Sequence, residues 1–416
     1  MSSKPGFTAV EAFFERSIRE LEDVYRFSPE DHQLFEAADA AAAELLPVEY
    51  EEYLARRFNQ RALDMLGKRG LLGIPVSRQY GGRGALPLPT VLAFERLSQV
   101  GLGMGTIMGA HVTLGESTLE AWGTEEQKRK YLEPAARGEK ILAYALTEPE
   151  AGSDPLALSS RFREEADCYV LNGTKYLISN GSVADVVVTF AYPLGSRTGM
   201  TGFLVDANSE GFEVAMKLDE KLGLFTSDTA MLQYRDVRVP KENMLGPWGK
   251  GHWVAFTALI HGRLGVAAGC IGVIEDCLSS VIERAKNRWQ HGKLIAKHQL
   301  VQKHIAGIAV ALEAVRWPTY AAALKLTRYL RDPRDEGIRL EVDQSTAIAK
   351  RLASQLAFEV ADKAVQVFGG FGYSILSPVG RHFLDARATR IFEGTDEILD
   401  LKIAAGLLGR EFEAYG

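Results

Sequence analysis

Cysteine is scarce in this sequence of 416 residues, whose three cysteines are Cys168, Cys270 and Cys277. No two of them form a CxxC pair, the spacing that metal sites and redox motifs use. The simplest interpretation is therefore buried thiols in a reducing compartment. The eight histidines form neither an HxxxH nor an HExxH pattern, so the sequence predicts no metal site.

Long hydrophobic runs and an excess of positive charge are also missing. The uncharged apolar segment Leu264 to Ile274 is far shorter than the roughly 20 residues that cross a bilayer. The net charge of −6 offers no basic surface to nucleic acid or an anionic membrane. The first residues carry Glu11 and Glu15 and no apolar signal core. We therefore expect no export or transit peptide, no membrane span and a cytoplasmic location.

What the sequence does contain is an ordinary globular composition, with 46% hydrophobic and 25% charged residues, in an unusual order. Helical periodicity comes first and begins with an amphipathic segment from Phe14 to Tyr25. Short segments rich in Val, Tyr, Phe and Leu follow between turns, and helical periodicity then returns with alanine-rich faces. The predicted fold class is α+β, with an N-terminal helical domain at 1–140, a middle β-barrel or sandwich domain at 141–246 and a C-terminal four-helix bundle at 247–416.

The periodicity also predicts the limits of individual helices. N-terminal helices are expected at about 30–46, where Pro47 ends the pattern, at 49–69 and at 88–119. The bundle helices are expected at about 252–286, 298–330, 340–369 and 396–408. A glycine cluster at 101, 103 and 105 interrupts the 88–119 segment. Because this cluster follows a helix and lacks GxGxxG, it favours a turn over a phosphate-binding loop.

A stretch near the C-terminus, Ile391-Phe392-Glu393-Gly394-Thr395, brings one carboxylate to a Gly-Thr turn. Thr395 is placed to cap a following helix, so Glu393 lies just outside a helix start. On these residues alone two interpretations stay open. Glu393 is either a solvated partner of the positive helix end or a general base on a tightly shaped loop.

Five motifs in fixed order point to a family. They are Thr147-Glu148-Pro149-Glu150-Ala151-Gly152-Ser153-Asp154, the segments 173–181 (GTKYLISNG), 236–240 (DVRVP) and 366–373 (QVFGGFGY), and Phe392-Glu393-Gly394-Thr395. With these motifs the chain resembles the acyl-CoA dehydrogenase family from the Tyr80-Gly81-Gly82 turn to Leu408. Residues 1 to 25 lie outside the resemblance, and their role stays open.

The resemblance implies FAD as cofactor and a set of residues for each part of the site. The residues implied to line the flavin or the thioester are Tyr144, Leu146, Thr147, Gly152, Ser153, Leu177, Ile178, Ser179, Thr395 and Asp396. Those implied to reach FAD across a subunit boundary are Arg288, Gln290, His298, Gln299, Gln366, Val367, Gly369 and Gly370. Those implied to contact the substrate are Ser153, Arg263, Glu393 and Gly394. No metal is implied.

The implied reaction is α,β-dehydrogenation of an acyl-CoA thioester to the trans-2-enoyl-CoA. Glu393 removes the α-proton, and flavin N5 takes the β-hydride. The family also implies a homotetramer and an electron-transfer flavoprotein as acceptor, with a role in fatty acid metabolism. Some family members carry the base one residue before the arginine that matches Arg263; here that position is Gly262, which leaves Glu393 as the base.

Three departures from the family pattern are Leu177, Ile260 and His291, and their effect stays open. Two alternatives also remain: a flavin oxidase or monooxygenase of the same fold, similar to nitroalkane oxidase, and a non-catalytic helical interaction protein. The small residues Gly103, Gly105, Gly109 and Ala110 favour an uncharged pocket for the acyl tail. The length, branching or ring content of that tail is not specified by the sequence, and neither is the physiological acceptor.

Overall fold

The computed structural model describes residues 18–22, 25–332, 335–412 and 414 of the chain. Of the amphipathic helix predicted from Phe14 to Tyr25, residues 18–22 are helical. Residues 14–17, 23 and 24 of that prediction lie outside the described part. Helices form both ends of the described chain and strands form its middle, which confirms the predicted α+β fold class.

The N-terminal region is a set of helices joined by short loops. Its helices are α1 Pro29–Leu54, α2 Gln60–Lys68, α3 Pro87–Ser98, α4 Leu102–Met108, α5 Ser117–Trp122, α6 Glu125–Gln127 and α7 Glu133–Ala136, with π-helical turns at Gly109–Glu116 and Lys128–Leu132 and a 3-10 turn at Arg78–Tyr80. The interruption predicted from the glycine cluster falls between α3 and α4. The π-helical turn at Gly109–Glu116 is a wider form of helix that is common at functional sites.

Two predictions for the N-terminal helices are wrong. Helix α1 continues through Pro47, and the single helix expected at 49–69 is divided, because residues 55–59 separate α1 from α2. Proline removes one backbone hydrogen bond from a helix. However, Leu45, Glu49 and Tyr53 are all buried around that position, so packing holds the helix together. The chain turns only after Leu54, and Asn59 then starts α2 by accepting a hydrogen bond from the N–H of Ala62.

The middle region is one mixed eight-stranded sheet. Its strands are β1 Leu142–Ala145, β2 Arg161–Glu164, β3 Cys168–Ser179, β4 Val186–Pro193, β5 Thr201–Asp206, β6 Phe212–Lys217, β7 Thr229–Pro240 and β8 Met244–Leu245. The order is β6-β7-β3-β2-β4-β5-β8, with β1 parallel to β4. Because β6 and β8 are edge strands, the described residues form no closed barrel. Strands from both halves of the sheet share one core, in which the rings of Phe162, Tyr169 and Phe203 lie 5.0 to 5.5 Å apart.

The C-terminal region contains every bundle helix that the sequence predicts. Its elements are α8 Gly251–Asn287, the hairpin β9 Trp289–Gln290 with β10 Lys293–Leu294, α9 Gln299–Arg331, α10 Glu336–Phe368, α11 Pro378–Thr389 and α12 Asp396–Leu408, with 3-10 turns at Ile295–Lys297, Gly369–Tyr373 and Arg410–Phe412. A further 3-10 turn, Lys241–Asn243, joins β7 to β8 of the sheet. Helix α11 was not predicted. It begins where Ser377 accepts a hydrogen bond from the N–H of Gly380 and Pro378 occupies the first turn.

Helix α8 is the centre of the molecule. It packs against α3 of the N-terminal region and against α9 and α10 of the bundle. The helix is long and apolar enough to cross a membrane, but 72% of its most apolar window is buried inside the protein. Its hydrophobic surface is therefore accounted for by the core.

A buried ionic cluster fixes α3 against α8 and α9. Arg316 of α9 forms ion pairs with Glu275 of α8 and with Glu95 of α3, the latter at 3.4 Å. The Tyr320 hydroxyl donates to Glu95 at 2.8 Å. Since breaking a buried pair leaves an uncompensated charge, this cluster sets the orientation of the N-terminal helices on the bundle.

Candidate active site

A cleft of about 1090 Å³ lies where the N-terminal helices, the sheet and the bundle meet. Many of the predicted site residues line it: Tyr144, Leu146, Thr147, Gly152, Ser153, Leu177, Ile178, Ser179, Arg263, Glu393, Gly394 and Thr395. They come from β1, the loop after it, β3, α8 and the turn between α11 and α12. The fold thus gathers at one place residues that are more than 200 positions apart in the sequence.

Glu393 lies in a left-handed turn. Its φ is 56° and that of Gly394 is 97°, a region that non-glycine residues occupy only where the surrounding structure enforces it. Thr395 accepts a hydrogen bond from the N–H of Ile398 and caps α12, as predicted. The turn directs the Glu393 side chain into the cleft and away from the helix end.

One oxygen of the Glu393 carboxylate is shielded from solvent at the wall of the cleft. Its Oε2 atom is buried and has no hydrogen-bond partner among the residues that the structure describes. Burial raises the pKa of this carboxyl group to about 7, against the opposing positive charges of Arg263 and Lys350. The carboxylate rests on Gly262, where a Cβ atom would lie 2.7 Å from Oε2. Any other residue at position 262 would therefore displace Glu393.

Two cations hold the backbone of the turn. Arg263 donates from Nε to the carbonyl oxygen of Glu393 at 3.2 Å, and Lys350 donates from Nζ to that of Gly394 at 2.6 Å. Asp343 orients Arg263 through a 2.9 Å bond to Nη1 and also pairs with Lys402 at 2.5 Å. Neither Lys350 nor Asp343 was predicted as a site residue. The only signal for Lys350 is a charge on the alanine-rich, buried face of α10.

A second buried ion pair shapes the loop after β1. Glu148 and Lys175 are paired at 2.8 Å, with 1% of each side chain exposed. Glu148 also accepts from the backbone N–H groups of Ser159 and Ser160 at 2.6 and 3.1 Å. Burial alone would raise the pKa of Glu148, but Lys175 and these donors lower it to about 2. The motif acid Glu148 therefore supports the loop from behind, while its neighbour Thr147 lines the cleft.

The sheet side of the cleft offers free polar groups beside an apolar face. The hydroxyls of Thr147 and Ser153 make no hydrogen bond within the described chain. Leu177 is 47% exposed and has φ 59°, which presents its side chain at the cleft. Tyr144 is buried, and its hydroxyl donates to the carbonyl of Ala255 at 3.1 Å. Of the departures from the family pattern, Ile260 also lines the cleft.

The remaining predicted FAD residues do not line this cleft. Arg288 follows α8, and Gln290, His298 and Gln299 lie around the β9-β10 hairpin, where His298 Nε2 contacts the carbonyl of Gln290 at 3.3 Å. Gln366, Val367, Gly369 and Gly370 lie at the end of α10. Arg284 connects the two groups because it donates to the carbonyl of Phe368. They form one patch at the end of the bundle, which also contains the departure His291.

Asp396 faces away from the cleft. Its carboxylate accepts from Arg390 at 2.6 Å and from Ser354 at 3.4 Å. This buried acid therefore holds the first turn of α12 against α11 and α10. Its predicted contact with FAD stays a prediction.

The expected tail pocket is only partly as predicted. Gly105, Gly109 and Ala110 line the cleft. Gly103 does not, because a Cβ atom there would lie 1.9 Å from the hydroxyl of Thr226 and 3.1 Å from Glu49. Gly103 thus serves the close approach of α4 to the loop before β7.

The described residues contain one group that could hold a metal ion, formed by Glu165, Asp167 and Cys168. Arg238 pairs with Glu165 at 2.8 Å and with Asp167 at 3.3 Å. The cluster is thus neutralised by a side chain of the sheet itself. It lies outside the set of residues that line the cleft.

Fold and cleft together define an enzyme of the helix-sheet-helix flavoprotein class, with one buried carboxylate of raised pKa in an apolar cleft. The models of the acyl-CoA dehydrogenase N-terminal, middle and C-terminal domains match residues 28–139, 143–237 and 249–408. A short-chain specific acyl-CoA dehydrogenase of Clostridium acetobutylicum is 40% identical over 368 residues, which is 88% of this chain and 94% of that relative. The chain belongs to the acyl-CoA dehydrogenase family.

Solved structures agree with this assignment. The butyryl-CoA dehydrogenase of Megasphaera elsdenii has a TM-score of 0.86 at 34% identity, covering 92% of this chain and 100% of that one. An acyl-CoA dehydrogenase of Bacillus anthracis complexed with FAD has a TM-score of 0.85 at 31% identity, covering 94% and 70%. The cofactor of this enzyme is FAD, and the free hydroxyls of Thr147 and Ser153 beside Leu177 fit a flavin ring with polar edges.

Proposed function

We propose that the enzyme performs α,β-dehydrogenation of an acyl-CoA thioester with Glu393 as its catalytic base. The observation that carries this proposal is the Glu393 carboxylate itself. One of its oxygens is buried and has no hydrogen-bond partner within the described part of the chain, the side chain lies in the cleft, and burial raises the pKa of the carboxyl group to about 7. A general base works best when its pKa lies near the pH of turnover, and a solvated dipole partner would have no raised pKa.

The residues around Glu393 supply orientation and a dry environment. Arg263 and Lys350 hold the carbonyl oxygens of the turn, so the Glu393 carboxylate has a fixed backbone from which to reach the α-carbon. We propose that the backbone N–H of Glu393 donates a hydrogen bond to the thioester carbonyl. This bond polarises the carbonyl group and makes the α-proton more acidic. A bound acyl chain would exclude water further and strengthen both interactions. Bound FAD supplies the two-electron acceptor for the β-hydrogen.

Cofactor binding is proposed to involve two chains. The cleft residues from Tyr144 to Ser179 would hold the flavin, and Thr395 would close the site from α12. The patch that contains Arg288 and Gln366 would reach the FAD of a neighbouring subunit in a homotetramer, because it lies outside its own chain's cleft. We propose an electron-transfer flavoprotein as acceptor, on the resemblance to the family. The domain limits at 140 and 246 are proposed as well.

Glu393→Gln tests the assignment of the base. An amide keeps the shape of the side chain but cannot accept the α-proton, so FAD and acyl-CoA binding should persist while anaerobic flavin reduction falls by at least 10² to 10⁴-fold. Stopped-flow absorbance measures the rate with the best substrate from an acyl-CoA panel. The matched control is Glu397→Gln, which removes an exposed acid from the same region. Reduction within tenfold of the wild-type rate would show that the base lies elsewhere.

A further inference from the structure

The left-handed turn of Glu393 and Gly394 needs external support. A non-glycine residue in this conformation is strained and persists only where neighbours enforce it. Arg263 and Lys350 supply the two side-chain hydrogen bonds to consecutive carbonyl oxygens of the turn. The shorter of the two, at 2.6 Å, comes from Lys350.

A lysine is unusual at position 350, because the position is buried. The residue is fully buried on α10, on the same face as Ala349 and Ala353. Within the described residues it forms no ion pair. A buried ammonium group without a carboxylate partner is unfavourable, and an apolar side chain of similar volume would be more stable. Packing alone therefore does not account for a lysine here.

The other charges around the turn leave a distinct role for Lys350. Arg263 is already paired with Asp343, which also binds Lys402. The groups that influence Lys350 are Cys270 and Arg263 of α8, Asp396 of α12 and Glu393 itself. Asp396 is engaged by Arg390. Among the described residues, Lys350 is thus the cation near Glu393 that has no ion pair of its own. Burial lowers the pKa of Lys350 to about 8, so the side chain is charged below that pH.

We propose that Lys350 is a positioning residue that fixes the Glu393-Gly394 turn by its hydrogen bond and keeps the Glu393 carboxylate ionised during turnover by its charge. The inference rests on the proposed role of Glu393 as the base. Burial raises the pKa of Glu393, and the Lys350 charge opposes that rise. The charge of Glu393 also acts on Tyr144 of β1. Within the described chain, Tyr144, Arg263 and Lys350 are the titratable groups that interact electrostatically with Glu393.

Three variants separate the hydrogen bond from the charge. Lys350→Met removes both, Lys350→Gln keeps a donor without the charge, and Lys350→Arg keeps the charge. Flavin reduction requires ionised Glu393, so its rate rises with pH through the pKa of that group. This rise is the ascending limb of the pH–rate profile. In the Met and Gln variants we expect this limb to move to higher pH by roughly one to two units, the size of shift that one neighbouring charge produces. In the Arg variant the limb should stay near its wild-type pH.

The hydrogen bond has its own signature. At a pH above the shifted limb, Lys350→Met should have a lower kcat than Lys350→Gln with a similar KM, because a misplaced base slows proton removal without changing substrate binding. Lys325→Met is the matched control. Lys325 lies on α9 and donates to Ser345 of α10, so its loss removes a cation beside α10 but not one that faces the turn. Its pH limb should match that of the wild type.

A titration without turnover provides the second readout. In protein labelled with ¹³C-glutamate, the Glu393 carboxyl resonance is assigned by its absence in Glu393→Gln and followed against pH in the wild type and Lys350→Gln. A higher apparent pKa in the variant supports the inference. If neither the pH–rate limb nor the titration of Glu393 moves in the variants, while Glu393→Gln is inactive, this inference is overturned and the proposed function stands. Retained flavin reduction in Glu393→Gln overturns the proposed function and this inference with it.

Discussion

At the scale of single residues, the site depends on the space that glycine, which has no Cβ atom, leaves for neighbouring groups. Gly262 makes room for the Glu393 carboxylate, since a Cβ atom there would lie 2.7 Å from it. Gly109 is different, because a Cβ atom would meet only the Thr113 hydroxyl at 3.9 Å. No atom of the described chain requires a glycine at 109, although glycine in a helix costs about 1 kcal/mol relative to alanine. The open volume beside Gly109 is therefore available to the acyl tail.

Gly109→Ala should change specificity without harming the fold. The added methyl group narrows the tail end of the cleft, so kcat/KM for acyl-CoA thioesters with branched or ring tails should fall roughly tenfold, as one methyl group in an apolar pocket does. Butyryl-CoA, with its short tail, should be little affected. The ratio of the two kcat/KM values is the measurement. Gly307→Ala is the control, because a Cβ atom there meets nothing within 4 Å and the residue lies on α9, outside the cleft. Equal losses for both substrates would contradict this account.

At the scale of elements, the loop after β1 depends on a strand behind it. Lys175 of β3 donates to Glu148 and to the carbonyl of Leu146, so one buried side chain ties the cleft-lining loop to the sheet. Burial lowers the pKa of Lys175 to about 8 against the charge of Glu148. The pair therefore remains charged on both sides near neutral pH.

Lys175→Met should destabilise the protein and release FAD more readily. Removing one partner of a buried pair leaves an unpaired carboxylate, at a cost of about 3 to 5 kcal/mol, and the loop that carries Thr147 and Ser153 loses its support. Thermal unfolding and FAD fluorescence measure the two effects. The double variant Glu148→Gln with Lys175→Met also removes the unpaired carboxylate, so it should recover part of the lost stability. A double variant no more stable than the single one would exclude the ion pair as the cause.

The same scale shows what the sequence could and could not predict. The bundle helices and the middle strands follow from periodicity, and Thr395 as a cap follows from its position before α12. The cleft residues from Tyr144 to Ser179 followed from motifs, not from physical reasoning. The helix end predicted at Pro47 was wrong, since packing around this residue outweighs the backbone hydrogen bond that proline removes. Lys350 and Asp343 were missed because an isolated charge on a helix carries no periodic signal. Their contacts exist only when α8, α10 and the turn come together.

At the scale of the whole molecule, the proposed cofactor site is divided between two places on each chain. The residues proposed to line the flavin lie in the cleft, and the patch around Arg288 lies at the end of the bundle. A single chain would thus leave that patch without a ligand. Assembly and FAD affinity are expected to be coupled for this reason.

Arg288→Ala tests this coupling. If Arg288 contacts the FAD pyrophosphate as proposed, loss of its guanidinium should weaken FAD binding, measured by equilibrium dialysis. The isolated wild type should scatter light with the mass of a tetramer. Arg235→Ala, an exposed residue of β7, should leave FAD affinity unchanged. Unchanged affinity in Arg288→Ala, or a wild-type enzyme that keeps FAD at the mass of one chain, would contradict the two-chain site.

The central position of α8 also has a consequence during synthesis. When its last residue, Asn287, leaves the ribosome, α3 is already outside, but α9 and α10 have not yet emerged. Residues 288–368 follow in roughly 4 to 16 seconds at a translation rate of about 5 to 20 residues per second. Through that interval this long apolar helix lacks two of the helices that cover it. The nascent chain is therefore exposed to aggregation at this stage, and α8 is the segment that a ribosome-associated chaperone would shield.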